Sequence, residues 1–184
     1  MRTLSYITLL AFVLITGCGR SENAVPDLET AGAQDPVVRP VEEKFIPEFS
    51  KETLDGKVLT DQSLKGKLTV INFWATWCGP CVIETPALVA LRNEWHDRGF
   101  EVVGVSMDED GLDVVNEFAE RFKITYPLIH DLGPLADLFG GVYALPTSYL
   151  VAPSGKIIHR IIGVFPVEEL REEMETYLSE SSKS

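Results

Sequence analysis

The chain carries two cysteines separated by two residues, in Trp77-Cys78-Gly79-Pro80-Cys81, where a strand pattern gives way to a helix pattern. Residues 68–75 are almost continuously apolar and rich in β-branched and aromatic side chains, which predicts a buried strand. After Val82, apolar side chains recur at helical spacing. Cys78 is therefore expected at a helix N-terminus, where free N–H groups and the helix dipole lower the pKa of a thiol. A thiolate attacks disulfides and a nearby second thiol resolves the product, so the pair predicts a dithiol redox centre.

Two other interpretations of the cysteine pair are weaker. Structural zinc requires four ligands, and the sequence contains neither a second C-x-x-C nor an H-x-x-x-H motif. A purely structural disulfide between cysteines this close would close a very small loop and constrain the unfolded chain little.

The N-terminus is predicted to direct export. Arg2 precedes an apolar stretch that ends in Thr16-Gly17, which makes residues 1–17 a signal peptide too short to span a membrane comfortably. Cys18 follows directly, and residues 14–18 resemble a bacterial lipobox, in which the cysteine is lipidated. The alternative is an ordinary signal peptide with a chance cysteine. Because several acyl chains on one residue give stable attachment, lipidation predicts a bacterial membrane anchor, with the protein facing the periplasm or the cell exterior.

The remaining chain is predicted to form a tether and one domain. Residues 18–44 combine the lipidated cysteine with scattered Pro, Gly and acidic residues, which is typical of a flexible tether. Residues 45–180 have the length of one ordinary domain. Lipid and the redox pair account for all three cysteines, so the apolar core must stabilise this domain. The formal net charge of −12 argues against nucleic acid as a partner.

The periodicity of the domain predicts an α/β fold. Asp55-Gly56 between alternating flanks predicts an N-terminal hairpin. The further strands are expected at residues 101–107, 147–152 and 156–162, and the further helices at 112–122, 134–139 and 167–178. A β-α-β start followed by a hairpin and a helix predicts a mixed central sheet with helices on both faces.

Two segments resemble a known fold family. Residues 73–81 match the active-site segment of thioredoxins, and Ala144-Leu145-Pro146-Thr147 resembles the loop whose proline is cis in that fold. More narrowly, the chain resembles the membrane-anchored, extracytoplasmic branch typified by ResA, TlpA and CcmG. The features that carry this match are Asn72, Glu84-x-Pro86 and an extra helical segment at 108–131. The resemblance covers about residues 45–165, and it implies a thioredoxin-like fold with an inserted helical segment.

The family implies a thiol-disulfide oxidoreductase that acts outside the cytoplasm. It would use no cofactor beyond the redox-active disulfide Cys78–Cys81. Its partners would be disulfide-containing exported proteins, including apocytochrome c before haem attachment, and a membrane or periplasmic electron donor. The neutral Gly79-Pro80 dipeptide favours a reductant, because a more stabilised thiolate would make a stronger oxidant.

The catalytic roles are predicted to fall on three residues. Cys78 is the expected nucleophile, and Cys81, one turn into the helix, is the resolving thiol, which must lose its proton. Thioredoxins have an aspartate where this chain has Asn72, and an amide cannot accept that proton. Glu84 is the carboxylate at short range, so we expect a general base whose pKa burial has raised. The alternative is a solvated helix residue, as most glutamates are.

Three further residues are predicted to contact the substrate. Trp77 would shield Cys78 and present an apolar surface. A cis peptide bond before Pro146 would leave the backbone of Leu145 free to pair with an extended substrate strand.

Two alternative functions belong to other classes. A thiol peroxidase of the peroxiredoxin type requires a T-x-x-C motif, whereas Thr76 lies one residue too close to Cys78. A non-enzymatic copper chaperone would combine the cysteine pair with His130 or His159, as in the Sco proteins, but their cysteines are separated by three residues rather than two. No metal site is therefore predicted.

Overall fold

The computed structural model describes residues 35–181, so the predicted signal peptide and Cys18 lie outside the described residues. The strands are β1 Val37–Pro40, β2 Ser50–Glu52, β3 Val58–Thr60, β4 Leu68–Trp74, β5 Phe100–Ser106, β6 Leu128–His130, β7 Thr147–Val151 and β8 Ile157–Ile162. The helices are α1 Gly79–Trp95, α2 Leu112–Phe122, α3 Pro134–Leu138 and α4 Val167–Ser181. Within this part of the chain no helix is long and apolar enough to cross a bilayer.

Six strands form one mixed sheet in the order β1-β8-β7-β4-β5-β6. The pairs β4–β5 and β5–β6 are parallel, whereas β4–β7, β7–β8 and β8–β1 are antiparallel. The remaining strands, β2 and β3, form the predicted hairpin around Asp55-Gly56, where Gly56 takes a φ of +77°. The predicted mixed sheet and hairpin are confirmed. The segment 108–131 contains α2, as expected, and also contributes strand β6 to the sheet.

Helices cover both faces of this sheet, as the sequence predicts. Strand β4 is buried along its whole length, and its side chains alternate between two cores. Val70 and Trp74 pack in the core that includes residues of α1, α2 and α4. Ile71 and Phe73 pack in the other core, with residues of α3. Strand β4 lies inside the sheet, between β7 and β5. The loop that follows its carboxyl end therefore begins between the two cores.

Helix α1 begins directly after this loop. Cys78 is its N-cap, and the Cys78 sulfur accepts a hydrogen bond from the Cys81 N–H at 3.3 Å. Pro80 lies in the first turn, where its missing N–H leaves no helical hydrogen bond unmade. The expected position of Cys78 at a helix N-terminus is confirmed.

Part of the segment predicted to be a tether belongs to the central sheet. The prediction extended the tether to residue 44, but residues 37–40 form the edge strand β1, in which Val37 lies opposite Ile162 and Pro40 opposite His159. Pairing with β1 satisfies the outer hydrogen-bonding groups of β8, and partly buried Val38 packs against the core. Proline is tolerated there because an edge strand leaves half of its N–H groups unpaired.

Candidate active site

The two cysteines of the C-x-x-C motif form a disulfide between the carboxyl end of β4 and the first turn of α1. The S–S distance is 2.04 Å and the Cα atoms are 5.2 Å apart. Cys78 is 5% exposed and Cys81 is fully buried, so Cys78 is the more accessible of the two residues.

Glu84 lies one turn after Cys81 on α1 and is buried, with only 2% of the residue exposed. Its Oε1 accepts a hydrogen bond from the Asn72 amide at 2.7 Å, and its Oε2 accepts one from the Phe165 N–H at 2.8 Å. The same Asn72 amide nitrogen donates to the Ser148 hydroxyl at 2.9 Å. Glu84 is therefore held from β4 and from the segment before α4, and it is not the solvated helix residue of the alternative interpretation.

Burial raises the pKa of Glu84 from 4.5 to about 7, because desolvation outweighs the hydrogen bonds from Phe165 and Asn72, which lower it. The expected direction of this shift is confirmed. Burial, and in second place the charge of Glu84, raise the pKa of the Tyr126 phenol. A carboxyl group with a pKa near neutrality can accept and release a proton under physiological conditions.

The loop before β7 shares surface grooves with Trp77 and Pro80 of the C-x-x-C segment. The Leu145–Pro146 peptide bond is cis, as predicted, and the Pro146 carbonyl accepts a hydrogen bond from the Gly163 N–H at 2.9 Å. Within residues 35–181, the backbone N–H and C=O groups of Leu145 form no hydrogen bond. Leu145 therefore offers one donor and one acceptor to an extended partner.

Two shallow grooves lie on either side of this loop. The first, of about 320 Å³, is lined by Trp77, Met107, Val142, Tyr143, Ala144 and Leu145. The second, of about 220 Å³, includes Pro80, Leu145, Pro146, Ile162 and Val164 and is bordered by Val37 of β1. Trp77 is 66% and Tyr143 88% exposed, so the first groove carries two largely exposed aromatic side chains. Two larger surface pockets contain none of the predicted site residues.

Asp108 is a buried residue of the site that the sequence analysis missed. It follows β5, is fully buried, and accepts hydrogen bonds from the Thr76 N–H at 2.9 Å, the Thr76 hydroxyl at 2.5 Å and the Ser106 hydroxyl at 2.8 Å. One signal could have indicated it. The carboxyl ends of parallel neighbours meet at one edge of a sheet, so an acid just after β5 falls beside the loop after β4.

The histidines considered for copper have partners elsewhere. His130 Nε2 lies 2.7 Å from the Asp108 carbonyl oxygen, and His159 Nε2 lies 2.8 Å from a carboxylate oxygen of Glu173. Among residues 35–181, no group of three or more His, Cys, Asp and Glu side chains is placed to hold a metal ion.

Comparison with known proteins places this geometry in a family. A profile of the AhpC/TSA family matches residues 43–160. The chain belongs to the AhpC/TSA family. Within it, the chain is 36% identical over 135 residues to the thiol-disulfide oxidoreductase ResA of Bacillus thuringiensis (strain Al Hakam), covering 73% of this chain and 75% of that protein. It is 35% identical over 132 residues to the thioredoxin-like protein YneN of Bacillus subtilis (strain 168), covering 70% and 76%.

A solved structure agrees with these relatives. The thiol:disulfide interchange protein, a thioredoxin family protein from Chlorobium tepidum TLS, matches with a TM-score of 0.67 and 32% identity, covering 76% of this chain and 99% of that one. This AhpC/TSA-family chain therefore has a thioredoxin-like fold and is a thiol-disulfide oxidoreductase. The resemblance to the ResA branch, inferred above from short motifs, is confirmed.

Proposed function

We propose that the protein is a lipid-anchored reductase of disulfides in exported proteins, acting outside the cytoplasm. Cys78 is its nucleophile, Cys81 its resolving thiol and Glu84 the acceptor of the Cys81 proton. The observation that carries this proposal is the position of Glu84, a buried carboxyl group one helical turn from the buried cysteine.

The reaction begins with the reduced pair. The Cys78 thiolate attacks one sulfur of the substrate disulfide, forms a mixed disulfide, and releases the first substrate thiolate. Glu84 accepts the proton of the Cys81 thiol. The Cys81 thiolate then attacks the Cys78 sulfur, closes the Cys78–Cys81 disulfide and releases the second substrate thiolate. Two electrons pass from enzyme to substrate, and a membrane or periplasmic donor restores the dithiol.

The geometry explains why Glu84 suits this proton transfer. Cys81 is fully buried, so bulk water does not reach its thiol directly. Asn72 donates its amide to Glu84 and cannot itself accept a proton at neutral pH. A carboxyl group with a pKa of about 7 is ionised in a large fraction of molecules at neutral pH and is still basic enough to take a proton.

The substrate is expected to bind as an extended strand. Its backbone would pair with the free N–H and C=O groups of Leu145. Its apolar side chains on either side of the reacting cysteine would enter the two grooves, one beside Trp77 and one beside Pro80. Recognition through the backbone and shallow apolar grooves fits a reductase with several unfolded clients, including apocytochrome c before haem attachment.

The lipobox at residues 14–18 supports export and membrane attachment through Cys18. Protein from cells grown with radiolabelled palmitate should carry the label, whereas Cys18→Ala should not. Ser21→Ala, three residues further on, should keep the label. A wild-type protein without label, or a labelled Cys18→Ala variant, would rule out anchoring through this lipid.

A trapping experiment tests the reductase function directly. Cys81→Ser removes the resolving thiol, so Cys78 should remain joined to client cysteines in a mixed disulfide that reducing agent releases. Cys78→Ser is the matched control and should accumulate no such adducts. If exported proteins with cysteine pairs are not enriched on Cys81→Ser in the native cell envelope, the protein is not a reductase of exported proteins.

A thiol peroxidase remains the second candidate, because peroxiredoxins share this fold and the family profile is that of AhpC/TSA. Against it, the Thr76 hydroxyl donates to Asp108. The reduced protein should consume hydrogen peroxide no faster than Cys78→Ser. Rapid consumption that depends on Cys78 would favour the peroxidase.

A further inference from the structure

We propose that Asp108 is a positioning residue of the dithiol centre. Its buried carboxylate fixes the loop that precedes Cys78 and places a negative charge near the Cys78 sulfur, which disfavours the thiolate and makes the pair a stronger reductant. This inference deepens the proposed reductase function and rests on it.

Both carboxylate oxygens of Asp108 are occupied by donors. Oδ1 accepts from the Thr76 N–H at 2.9 Å and from the Thr76 hydroxyl at 2.5 Å. Oδ2 accepts from the Ser106 hydroxyl at 2.8 Å and is 3.2 Å from the Thr76 nitrogen. Within the described part of the chain, no lysine, arginine or histidine forms an ion pair with this carboxylate. The charge of this fully buried group is therefore not neutralised by a cation.

These bonds hold the active-site loop from the neighbouring strand. Ser106 is the last residue of β5, and the Met107 N–H donates to the Trp74 carbonyl at 2.8 Å. The Cys78 N–H in turn donates to the Ala75 carbonyl at 3.2 Å. Thr76, between these two points, is bound to Asp108 by its backbone and by its side chain. The loop from β4 to α1 is therefore attached to β5 at its middle residue.

The charge lies close enough to act on Cys78. Thr76 is two residues before Cys78, and two residues span at most about 7 Å. With the hydrogen bond from Thr76 to Asp108 and the length of the Cys78 side chain added, the carboxylate lies within about 14 Å of the nucleophilic sulfur. At such a separation, in a partly buried site, a like charge disfavours the thiolate appreciably. The α1 N-terminus acts in the opposite direction.

The other titratable groups near the pair differ from Asp108 in exposure or in placement. Glu109 and Asp110 follow Asp108 but are exposed, so solvent screens their charges. His130 contacts Asp108 only through the backbone carbonyl. Glu84 is buried on α1, next to Cys81 in the helix rather than next to Thr76.

The test uses Asp108→Asn in the otherwise unchanged protein, because this substitution keeps the shape and removes the charge. In the reduced variant, the pH dependence of alkylation should place the Cys78 pKa about one unit below that of the wild type. At a pH above the Cys78 pKa of both proteins, the equilibrium in which the protein disulfide and two glutathione molecules give the protein dithiol and glutathione disulfide should shift about tenfold toward the protein dithiol.

Two controls separate this effect from a loss of structure. Glu101→Gln removes another buried carboxylate, which binds Arg92 at the opposite end of β5, and should leave both quantities unchanged. Thr76→Val removes one bond to Asp108 and should slow the reaction with a disulfide peptide, whereas Thr76→Ser should keep the wild-type rate.

The inference would be overturned if a folded Asp108→Asn variant kept the wild-type Cys78 pKa and the wild-type equilibrium with glutathione. A Cys78 pKa that rises in this variant would also overturn it. If Asp108→Asn fails to fold, equal rates for Thr76→Val and Thr76→Ser would overturn it instead. The proposed function fails separately, when the wild-type protein itself reduces no disulfide and Cys81→Ser traps no client.

Discussion

Glu84 is the residue on which the proposed chemistry depends most, and its environment makes it a base. A glutamate on a helix is ordinarily solvated and fully ionised at neutral pH. Here burial raises its pKa to about 7, while Asn72 and the Phe165 N–H fix the orientation of both oxygens. The motif in the sequence indicated the residue, but the Phe165 contact links positions 81 residues apart and could not be predicted from local patterns.

Glu84→Gln should slow the resolution of the mixed disulfide while leaving the first attack by Cys78 nearly unchanged. The amide cannot accept the Cys81 proton, so resolution near neutral pH should fall by about 10²-fold and lose the titration near pH 7. Stopped-flow measurement of both steps across this pH range checks it. Glu94→Gln, on an exposed position of the same helix, is the control. A titration that persists in Glu84→Gln would assign the proton acceptor to another group.

The same residue should make the stability of the oxidised protein depend on pH. The folded state binds the Glu84 proton more tightly than the unfolded state, so stability falls as pH rises from 4.5 to 7. The raised pKa corresponds to about 3 kcal/mol over that interval. Between pH 4.5 and pH 7, the free energy of unfolding of Glu84→Gln should therefore rise by about 3 kcal/mol relative to that of the wild type. Urea titrations at each pH test it, and parallel stability curves for the two proteins would show that Glu84 titrates normally.

At the scale of elements, local patterns predicted most of the fold. The apolar run of β4, the turn Asp55-Gly56 and the helical spacing of α1 each lie within a few residues of one another, so periodicity detects them. Strand β1 was missed because Val-Val-Arg-Pro is too short to show a period and its partner β8 lies about 120 residues away. Asp108 was missed because local periodicity does not show that its side chain meets Thr76, which follows the neighbouring strand.

Gly104 of β5 shows how closely these elements pack. A Cβ atom there would lie 2.6 Å from Leu128 Cδ2, 3.0 Å from Trp74 Nε1 and 3.2 Å from the Tyr126 ring. Gly104→Ala should lower the free energy of unfolding by about 1–3 kcal/mol, because at least one neighbour must shift within a close-packed core. Denaturant unfolding measures the loss. Gly79→Ala, where the added methyl group meets nothing within 4 Å, should change stability little. Equal stabilities for the two variants would mean that β6 moves aside freely.

At the scale of the whole molecule, β1 brings the N-terminal segment to the active-site end of the sheet. Val37 pairs with Ile162, which also pairs with Thr147, the residue after the cis-proline. Val37 and Asp35 border the second groove. Strand β1 therefore brings Asp35 and Val37 to the end of the sheet that carries the cis-proline, beside the second groove.

Strand β1 both packs against the core and borders the second groove. Because side chains alternate along a strand, two adjacent residues of β1 have these two roles. Val38 packs against the core, whereas Val37 is 45% exposed and borders the groove. Val38→Asp should lower the free energy of unfolding by about 1–3 kcal/mol, because it places a charge against apolar side chains. Val37→Asp should change stability by less than about 0.5 kcal/mol but raise KM for an apolar disulfide peptide. Urea unfolding and steady-state reduction of that peptide distinguish the two. If Val38→Asp is as stable as the wild type, β1 does not contribute to the fold, and if Val37→Asp leaves KM unchanged, the second groove does not bind substrate.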